Sequence, residues 1–161
     1  MEDNVTSEAA REILVRGARA IAHSDSLESG LEALLAVVVE QLDVESAVIV
    51  VVDRPDELRI IASTGLPGPA VAGLAEAIRN PQHPIARTVG NPVPMFDVLP
   101  TAPGGPALRS HLPIAITRDG SDTVLGVLAL PHQRPLDAGT RLMLEAVADL
   151  AAVAIARYSA T

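Results

Sequence analysis

Four histidines are the side chains in this sequence that could bind a metal or exchange a proton near neutral pH. His83 lies between two prolines, where we expect a hydrogen bond that braces the loop. His23 and His132 fall in segments that indicate solvent exposure. For His111, ligand coordination and ordinary hydrogen bonding both remain open. No cluster of histidines and carboxylates has the spacing of a metal site, so the sequence predicts none.

His111 lies in the segment LRSHLPIAI, whose composition predicts a strand. Successive side chains of a strand point to opposite faces. Arg109 and His111 therefore share one face, and Ser110, Leu112 and Ile114 share the other. One face carries a cation beside an imidazole, whereas the other is mostly apolar.

The sequence lacks the residue patterns that most enzyme mechanisms require. The sequence contains no cysteine, which excludes disulfides, thiolate metal sites, cysteine nucleophiles and thioether attachment of a tetrapyrrole. No serine lies in a nucleophile elbow, and the APGG segment has loop composition rather than that of a phosphate-binding loop. We therefore predict a protein that is not an enzyme, with no catalytic residue and no cofactor.

Charge and aromatic content limit the classes of partner and ligand that this protein can bind. The net charge is −8 and all twelve basic residues are arginine, so repulsion from phosphate backbones argues against nucleic acid. The most apolar stretch, residues 146–156, is too short to span a bilayer. With neither a basic export signal nor cysteine, we expect a cytoplasmic protein. Phe96 and Tyr158 are the only aromatic residues, so any pocket must be largely aliphatic.

The N-terminal segment predicts a helix over residues 6–23. Apolar and small residues recur along it with the spacing of a helix–helix seam: Ala10, Leu14, Gly17 and Ile21. This seam faces either a second subunit, which we favour, or the chain's own body. Residues 1–24 are therefore assigned as a dimerisation helix, and residues 25–161 as the main domain.

The last segment predicts a long helix from a cap at Asp137 to about residue 158. It carries two apolar seams, Met143-Val147-Leu150-Ala154 and Leu144-Ala151-Ile155. We expect such a helix to pack against a sheet on one side and a helix on the other. Since one of these seams could face a second subunit, the last helix joins the first in the predicted dimer interface.

Between these two helices, the spacing of apolar residues changes back and forth between the helical period and the two-residue period of a strand. We predict a helix over about 27–42, capped by Asp25 or Ser26, followed by a hairpin of strands 47–52 and 58–64. A short helix over 70–79 and a single helical turn at 85–89 come next. The chain then forms an edge strand over 93–98 and a second hairpin of strands 108–117 and 123–130. Residues 99–107 contain three prolines and two glycines, the composition of a loop that moves.

This order of elements resembles that of a GAF domain, as do five segments in the family's order. They are LEALLAVVVEQLDVESAVIVVVD, LRIIASTGLP, HPIARTVGNPVPMFDV, the pair LRSHLPIAI and VLGVLAL, and LMLEAVADLAAVAIARY. Ser110, Pro113 and Gly126 occupy typical places in the final hairpin. The resemblance covers about residues 25–158.

The resemblance implies an α+β (α/β) fold with a central antiparallel sheet of about five strands. The N- and C-terminal helices would pack on one face, with short helices and loops over a ligand pocket on the other. We expect residues 99–107 to roof that pocket. The candidate ligand-binding residues are Met95, Phe96, Asp97, Arg109 and His111. The family's strand order implies that Asp97 and Arg109 meet at the pocket mouth, as a ligand clamp or as a simple salt bridge.

The resemblance also implies a function in signalling. We predict a non-enzymatic regulatory sensor that binds a small, largely apolar ligand, forms a homodimer and works with a signalling protein. One alternative is a ligand-free scaffold used only for dimerisation or docking. Another is a haem-binding sensor that uses His111 or His83. The free methionine sulfoxide reductases of this family work through cysteines and its cyclic-nucleotide members carry a lysine-containing signature; this sequence has neither residue.

Overall fold

The computed structural model describes residues 2–42, 44–54, 57–99 and 108–159. These residues form five helices and five strands in the order α1 (Glu2–Ala22), α2 (Leu27–Leu42), β1 (Ala47–Arg54), β2 (Glu57–Thr64), α3 (Gly68–Ala77), α4 (Pro84–Gly90), β3 (Met95–Val98), β4 (Leu108–Arg118), β5 (Ser121–His132) and α5 (Ala138–Ser159). No helix in these ranges is long and apolar enough to cross a membrane.

The strands form one antiparallel sheet in the order β2-β1-β5-β4-β3. This arrangement confirms the predicted α+β fold and the edge position of β3. The two predicted hairpins are β1–β2 and β4–β5, and β5 lies next to β1 at the centre of the sheet. At that junction a Cβ on Gly126 would come 2.2 Å from the carbonyl oxygen of Val50, so only glycine fits there.

Alternate residues of the central strands enter two separate cores. Ile49, Leu112 and Leu128 face one side, where they pack with α1, α2 and α5. Val48 and Val127 face the other side, where they pack with residues near α3 and α4. The strongly apolar β1 is covered on both faces, as its continuous β-branched run predicts.

The structure corrects the predicted α1 seam. The helix begins at Glu2, and Ile13 is the fully buried residue, with 0% of its surface exposed, whereas its neighbour Leu14 is 40% exposed. Gly17 does lie in a close approach, because a Cβ there would contact Leu34 of α2 and Leu150 of α5. The seam therefore faces the chain's own helices.

Both predicted seams of α5 are likewise used within the chain. Their residues lie in the larger core or against it, where α5 packs on β4 and β5 and on α1 and α2. The expectation of a sheet on one side and a helix on the other is confirmed. Asp137 caps the helix, since its Oδ1 accepts a hydrogen bond from the Thr140 backbone N–H at 2.7 Å.

Candidate ligand-binding site

A cavity of about 410 Å³ lies between the sheet and the short helices α3 and α4. Val48 and Ala129 line it from the sheet, and Leu66, Leu74 and Ile85 line it from the segments above. Its volume and mostly apolar lining are typical of sites for small organic molecules. An aliphatic site on this face of the sheet is what the sequence predicts.

A second cavity of about 390 Å³ adjoins the first, between α4 and the strands β3 and β4. His83, Arg109 and His111 line both cavities and so mark their boundary. Met95 lines only the second cavity, which is consistent with its pairing opposite His111 on the neighbouring strand. Three polar side chains therefore converge beside an otherwise apolar chamber.

His111 is the deepest of these three polar residues, with 4% of its surface exposed. Burial lowers its pKa from 6.5 to about 4, and the nearby His83 and Arg109 contribute to the shift. The imidazole is therefore neutral near pH 7. A neutral ring offers one donor and one acceptor to a ligand.

His83 braces the start of α4, as predicted. Its Nδ1 accepts a hydrogen bond from the backbone N–H of Ile85 at 3.1 Å. In the neutral ring the proton then resides on Nε2, which remains free to donate. Burial, followed by the charge of Arg109, lowers the pKa of His83 and favours this neutral form.

Arg109 is half-buried at the junction of the two cavities. Within the ranges that the structure describes, no carboxylate or carbonyl pairs with its guanidinium. Arg87 adds a second, exposed cation to the lining of the outer cavity. This end of the site is consequently positively charged.

The structure corrects the placement of Asp97 and Phe96. The predicted pair of Asp97 and Arg109 does not form: Asp97 binds Arg141 and accepts a hydrogen bond from the Leu136 N–H at 3.0 Å. The ring of Phe96 packs against the larger core, with the guanidinium of Arg141 5.1 Å from its centroid. Both side chains belong to the side of the sheet opposite the cavities.

Phe96 lies on that side by ordinary alternation from Met95, whereas an irregularity in β3 causes the difference for Asp97. Met95 pairs with His111 and Val98 with Arg109, so Phe96 and Asp97 together oppose a single residue. Asp97 has a φ of 57°, in the left-handed region that only a few residue types adopt readily. The resulting bulge turns the carboxylate away from the cavity mouth.

The structure also corrects the expected exposure of His132, which is 4% exposed. Its Nε2 lies 2.8 Å from the Ser110 hydroxyl, and its Nδ1 lies 2.8 Å from the carbonyl oxygen of Arg134. The Asp97 backbone N–H donates to the same hydroxyl at 3.3 Å. This network, which the sequence did not reveal, joins β3, β4 and β5 to the segment before α5.

The Ser110–His132–Asp97 group does not have the geometry of a catalytic triad. A triad needs the serine and the acid on different nitrogens of the imidazole. Here both approach Nε2, with an Asp97 Oδ1 at 3.9 Å, and a backbone carbonyl occupies Nδ1. Ser110 is also 0% exposed, so no substrate reaches its hydroxyl. The network is structural.

The predicted roof of the pocket falls mostly outside the described residues. Of the segment 99–107, only Leu99 is described, and it lines the second cavity. Among the described residues, no group of three or more histidines and carboxylates could hold a metal ion. The described site therefore consists of an aliphatic chamber, two imidazoles, the half-buried guanidinium of Arg109 and, at the second cavity, the exposed guanidinium of Arg87.

Comparisons with solved structures agree with this architecture. The GAF domain of a phosphoenolpyruvate-protein phosphotransferase from Acinetobacter superposes with a TM-score of 0.74 at 16% identity, covering 98% of this chain and 96% of that one. Free methionine-R-sulfoxide reductase from Neisseria meningitidis, in complex with its substrate, gives a TM-score of 0.68 at 17% identity, with 93% and 91% covered. The GAF-B domain of DevS from Mycobacterium smegmatis gives 0.64 at 25% identity, with 81% and 93% covered.

A comparison with curated protein sequences found no match. The sequence itself matches the GAF domain family over residues 26–157, which is most of its length. The matched range includes the whole sheet and both cavities. The chain therefore belongs to the GAF domain family.

Proposed function

We propose that this protein is a regulatory sensor that binds a small, largely apolar molecule in the cavity between the sheet and α3. GAF domains are signalling sensor domains, and similar solved structures include a methyl-accepting chemotaxis protein. The observation that carries the proposal is the aliphatic chamber of about 410 Å³ with polar side chains at one end. Such a site binds and orients a ligand without reacting with it.

The proposed sensor has no catalytic activity. One similar structure is a free methionine-R-sulfoxide reductase, but this sequence contains no cysteine that could act as a redox-active thiol. The buried serine and histidine of the structural network have no access to a substrate. In this proposal the protein acts in the cytoplasm and passes its signal to another signalling protein.

The proposed sensor is also a homodimer, with residues 1–24 as its dimerisation helix and residues 25–161 as its sensor domain. Support comes from four exposed apolar side chains on the adjacent helices α1 and α5: Leu14, Val15, Leu142 and Val153. Contiguous exposed apolar patches mark association surfaces in soluble proteins, and in this proposal the four side chains form such a patch. Of the residues in the seams predicted from the sequence, Leu14 is the one that belongs to this surface.

Filling the chamber tests the ligand-binding proposal. Ala77 lies on α3, lines the chamber and is exposed, so Ala77→Phe places a ring in the cavity without disturbing the core. We expect saturable binding of the neutral fluorophore N-phenylnaphthylamine to the wild type, measured by fluorescence, and its loss in Ala77→Phe. Ala36→Phe makes the same change at an exposed helical alanine outside the cavity, and it should bind like the wild type.

Two results would favour the alternative functions. A wild type that binds no fluorophore in a saturable way would support a scaffold whose cavity has no ligand. A Soret band in the absorption spectrum of the freshly purified protein would support a haem sensor, since His83 and His111 are the histidines that line the cavity.

A further inference from the structure

The lining of the two cavities has an unusual charge for this protein. The sequence carries twenty acidic and twelve basic residues, for a net charge of −8. Among the described residues that line either cavity, however, the charged side chains are Arg87 and Arg109, and none is a carboxylate. A strongly acidic protein therefore encloses a locally cationic site, which favours an anion and disfavours a cation.

Arg109 differs from the other described arginines without an acidic partner, because it is half-buried and they are exposed. Other arginines of the described chain pair with acids: Arg16 with Glu40, Arg59 with Asp53 and Arg141 with Asp97. Arg109 has no such partner in the described ranges, although it is half-buried. A partly desolvated guanidinium without a partner is costly, and a carboxylate matches its planar set of donors.

The two histidines complement Arg109 as neutral groups. His83 keeps its Nε2–H as a donor, because its Nδ1 is occupied by the backbone N–H of Ile85. His111 is buried and neutral, so it contributes a hydrogen bond without a charge. The polar end of the chamber thus offers one cationic fork flanked by imidazoles, which suits a single negative charge.

We propose that the ligand is a small organic acid, with its aliphatic body in the chamber between the sheet and α3 and its carboxylate on Arg109. This inference rests on the proposed sensor function and specifies the class of ligand. The apolar lining accepts the hydrocarbon part, and the boundary between the two cavities receives the head group. Neutral molecules with the same hydrocarbon body bind the chamber less tightly.

Octanoate and octanol provide the test, since they share a chain length and differ in the charged head. We expect the full chain to bind octanoate at least tenfold more tightly than octanol in calorimetric titrations at neutral pH, as for a hydrogen bond to a charged group. Raising the ionic strength should weaken octanoate binding and leave octanol binding unchanged, because salt screens only the charged contact.

Variants of β4 assign the effect to Arg109. Arg109→Gln should bind octanoate and octanol with similar affinity, and Arg109→Lys should retain part of the preference for octanoate. Arg118→Gln, at the exposed end of the same strand, removes the same charge outside both cavities and should behave like the wild type. If Arg109→Gln fails to fold, the salt dependence of the wild type still tests the charged contact, and a reduced preference for octanoate in Arg109→Lys tests its assignment to Arg109.

The possible failures are distinguishable. Octanol binding as tightly as octanoate would overturn the assignment of an acid and leave the apolar sensor intact. Binding of neither compound would overturn both proposals. An octanoate preference that Arg109→Gln retains would also overturn the assignment to Arg109.

Discussion

His111 and Arg109 occupy the same face of β4 but differ in their protonation state. Burial makes the charged form of the histidine unfavourable, whereas the arginine stays charged at any accessible pH. The strand therefore presents one neutral and one cationic group to the same cavity. This division gives the site a fixed charge at Arg109 and a titratable group beside it.

The free energy of unfolding should depend on pH through His111. Its pKa falls from 6.5 in the unfolded chain to about 4 in the folded protein. Between those values the unfolded state binds more protons, so stability rises with pH and is lost as pH falls from 6.5 toward 4. A shift of this size corresponds to roughly 3 kcal/mol.

Chemical denaturation across this pH range checks the expectation. His111→Gln should flatten the rise in stability, since it removes the titrating ring. His83 has a lowered pKa as well, so a smaller rise in the same direction should persist. His23→Gln removes an exposed histidine outside the cavity and serves as the control. A His111→Gln curve that follows the wild type at all pH values would contradict the prediction.

At the scale of elements, Asp97 attaches the edge strand β3 to the start of α5. Its carboxylate binds Arg141 and the Leu136 N–H, and its own N–H binds Ser110. Burial alone would raise the pKa of Asp97, but the hydrogen bond from Leu136 and the charge of Arg141 hold it below its usual value. The same strand carries Met95 at the second cavity, so this attachment connects the ligand-binding face with a helix on the opposite face.

Asp97→Asn should destabilise the fold by about 1–3 kcal/mol, because it removes the charge that Arg141 and Leu136 bind. Asparagine tolerates the left-handed backbone at this position, whereas Asp97→Ala should lose about 1 kcal/mol more through strain. Urea unfolding measures both changes. Asp119 has a similar φ of 52° in an exposed turn, so Asp119→Asn is the matched control and should change stability little. Equal effects at the two positions would refute the role of the ion pair.

Much of the arrangement of helices and strands was predictable from the periodic spacing of apolar residues in the sequence. The alternation along LRSHLPIAI correctly separated Arg109 and His111 from Ser110, Leu112 and Ile114, because a central strand keeps the two-residue period. The two seams of α5 likewise predicted its two partners. In regular elements with many neighbours, the periodic spacing of apolar residues in the sequence matches the spacing of buried residues in the fold.

The sequence predicted the site less well where the period breaks. The bulge in β3 turned Asp97 to the opposite face, which alternation along a four-residue edge strand could not reveal, whereas alternation from Met95 already places Phe96 on that face. His132 is buried through contacts with Ser110 and Arg134, which depend on how the chain approaches α5. In α1, the choice between Ile13 and Leu14 as the buried residue depended on the position of α2.

At the scale of the whole molecule, the two faces of the sheet are covered in different ways. One face carries the cavities beneath α3 and α4, and the other carries the larger core beneath α1, α2 and α5. The exposed apolar residues on α1 and α5 lie on the side away from the cavities. A dimer formed there would leave the ligand site open in both subunits.

We expect the protein to be a dimer at tens of micromolar in light scattering, and we expect Val15→Glu combined with Val153→Glu to make it a folded monomer. These side chains are 48% and 65% exposed, so the two charges stay solvated in the monomer and are buried without partners only in the dimer. Circular dichroism should show an unchanged fold.

The choice of positions separates assembly from folding. Ile13→Glu should unfold the chain, because Ile13 is fully buried, and Leu150→Glu should damage the packing of α5 against Gly17. Ala72→Glu with Ala75→Glu adds the same charge to exposed positions of α3 on the opposite face, and that variant should remain dimeric. If the wild type is a monomer, or if the α3 variant dissociates as readily as the α1–α5 variant, the apolar residues of α1 and α5 are not the interface. A dimer that only the α1–α5 variant disrupts would place the contact on the helical face and leave both ligand sites accessible.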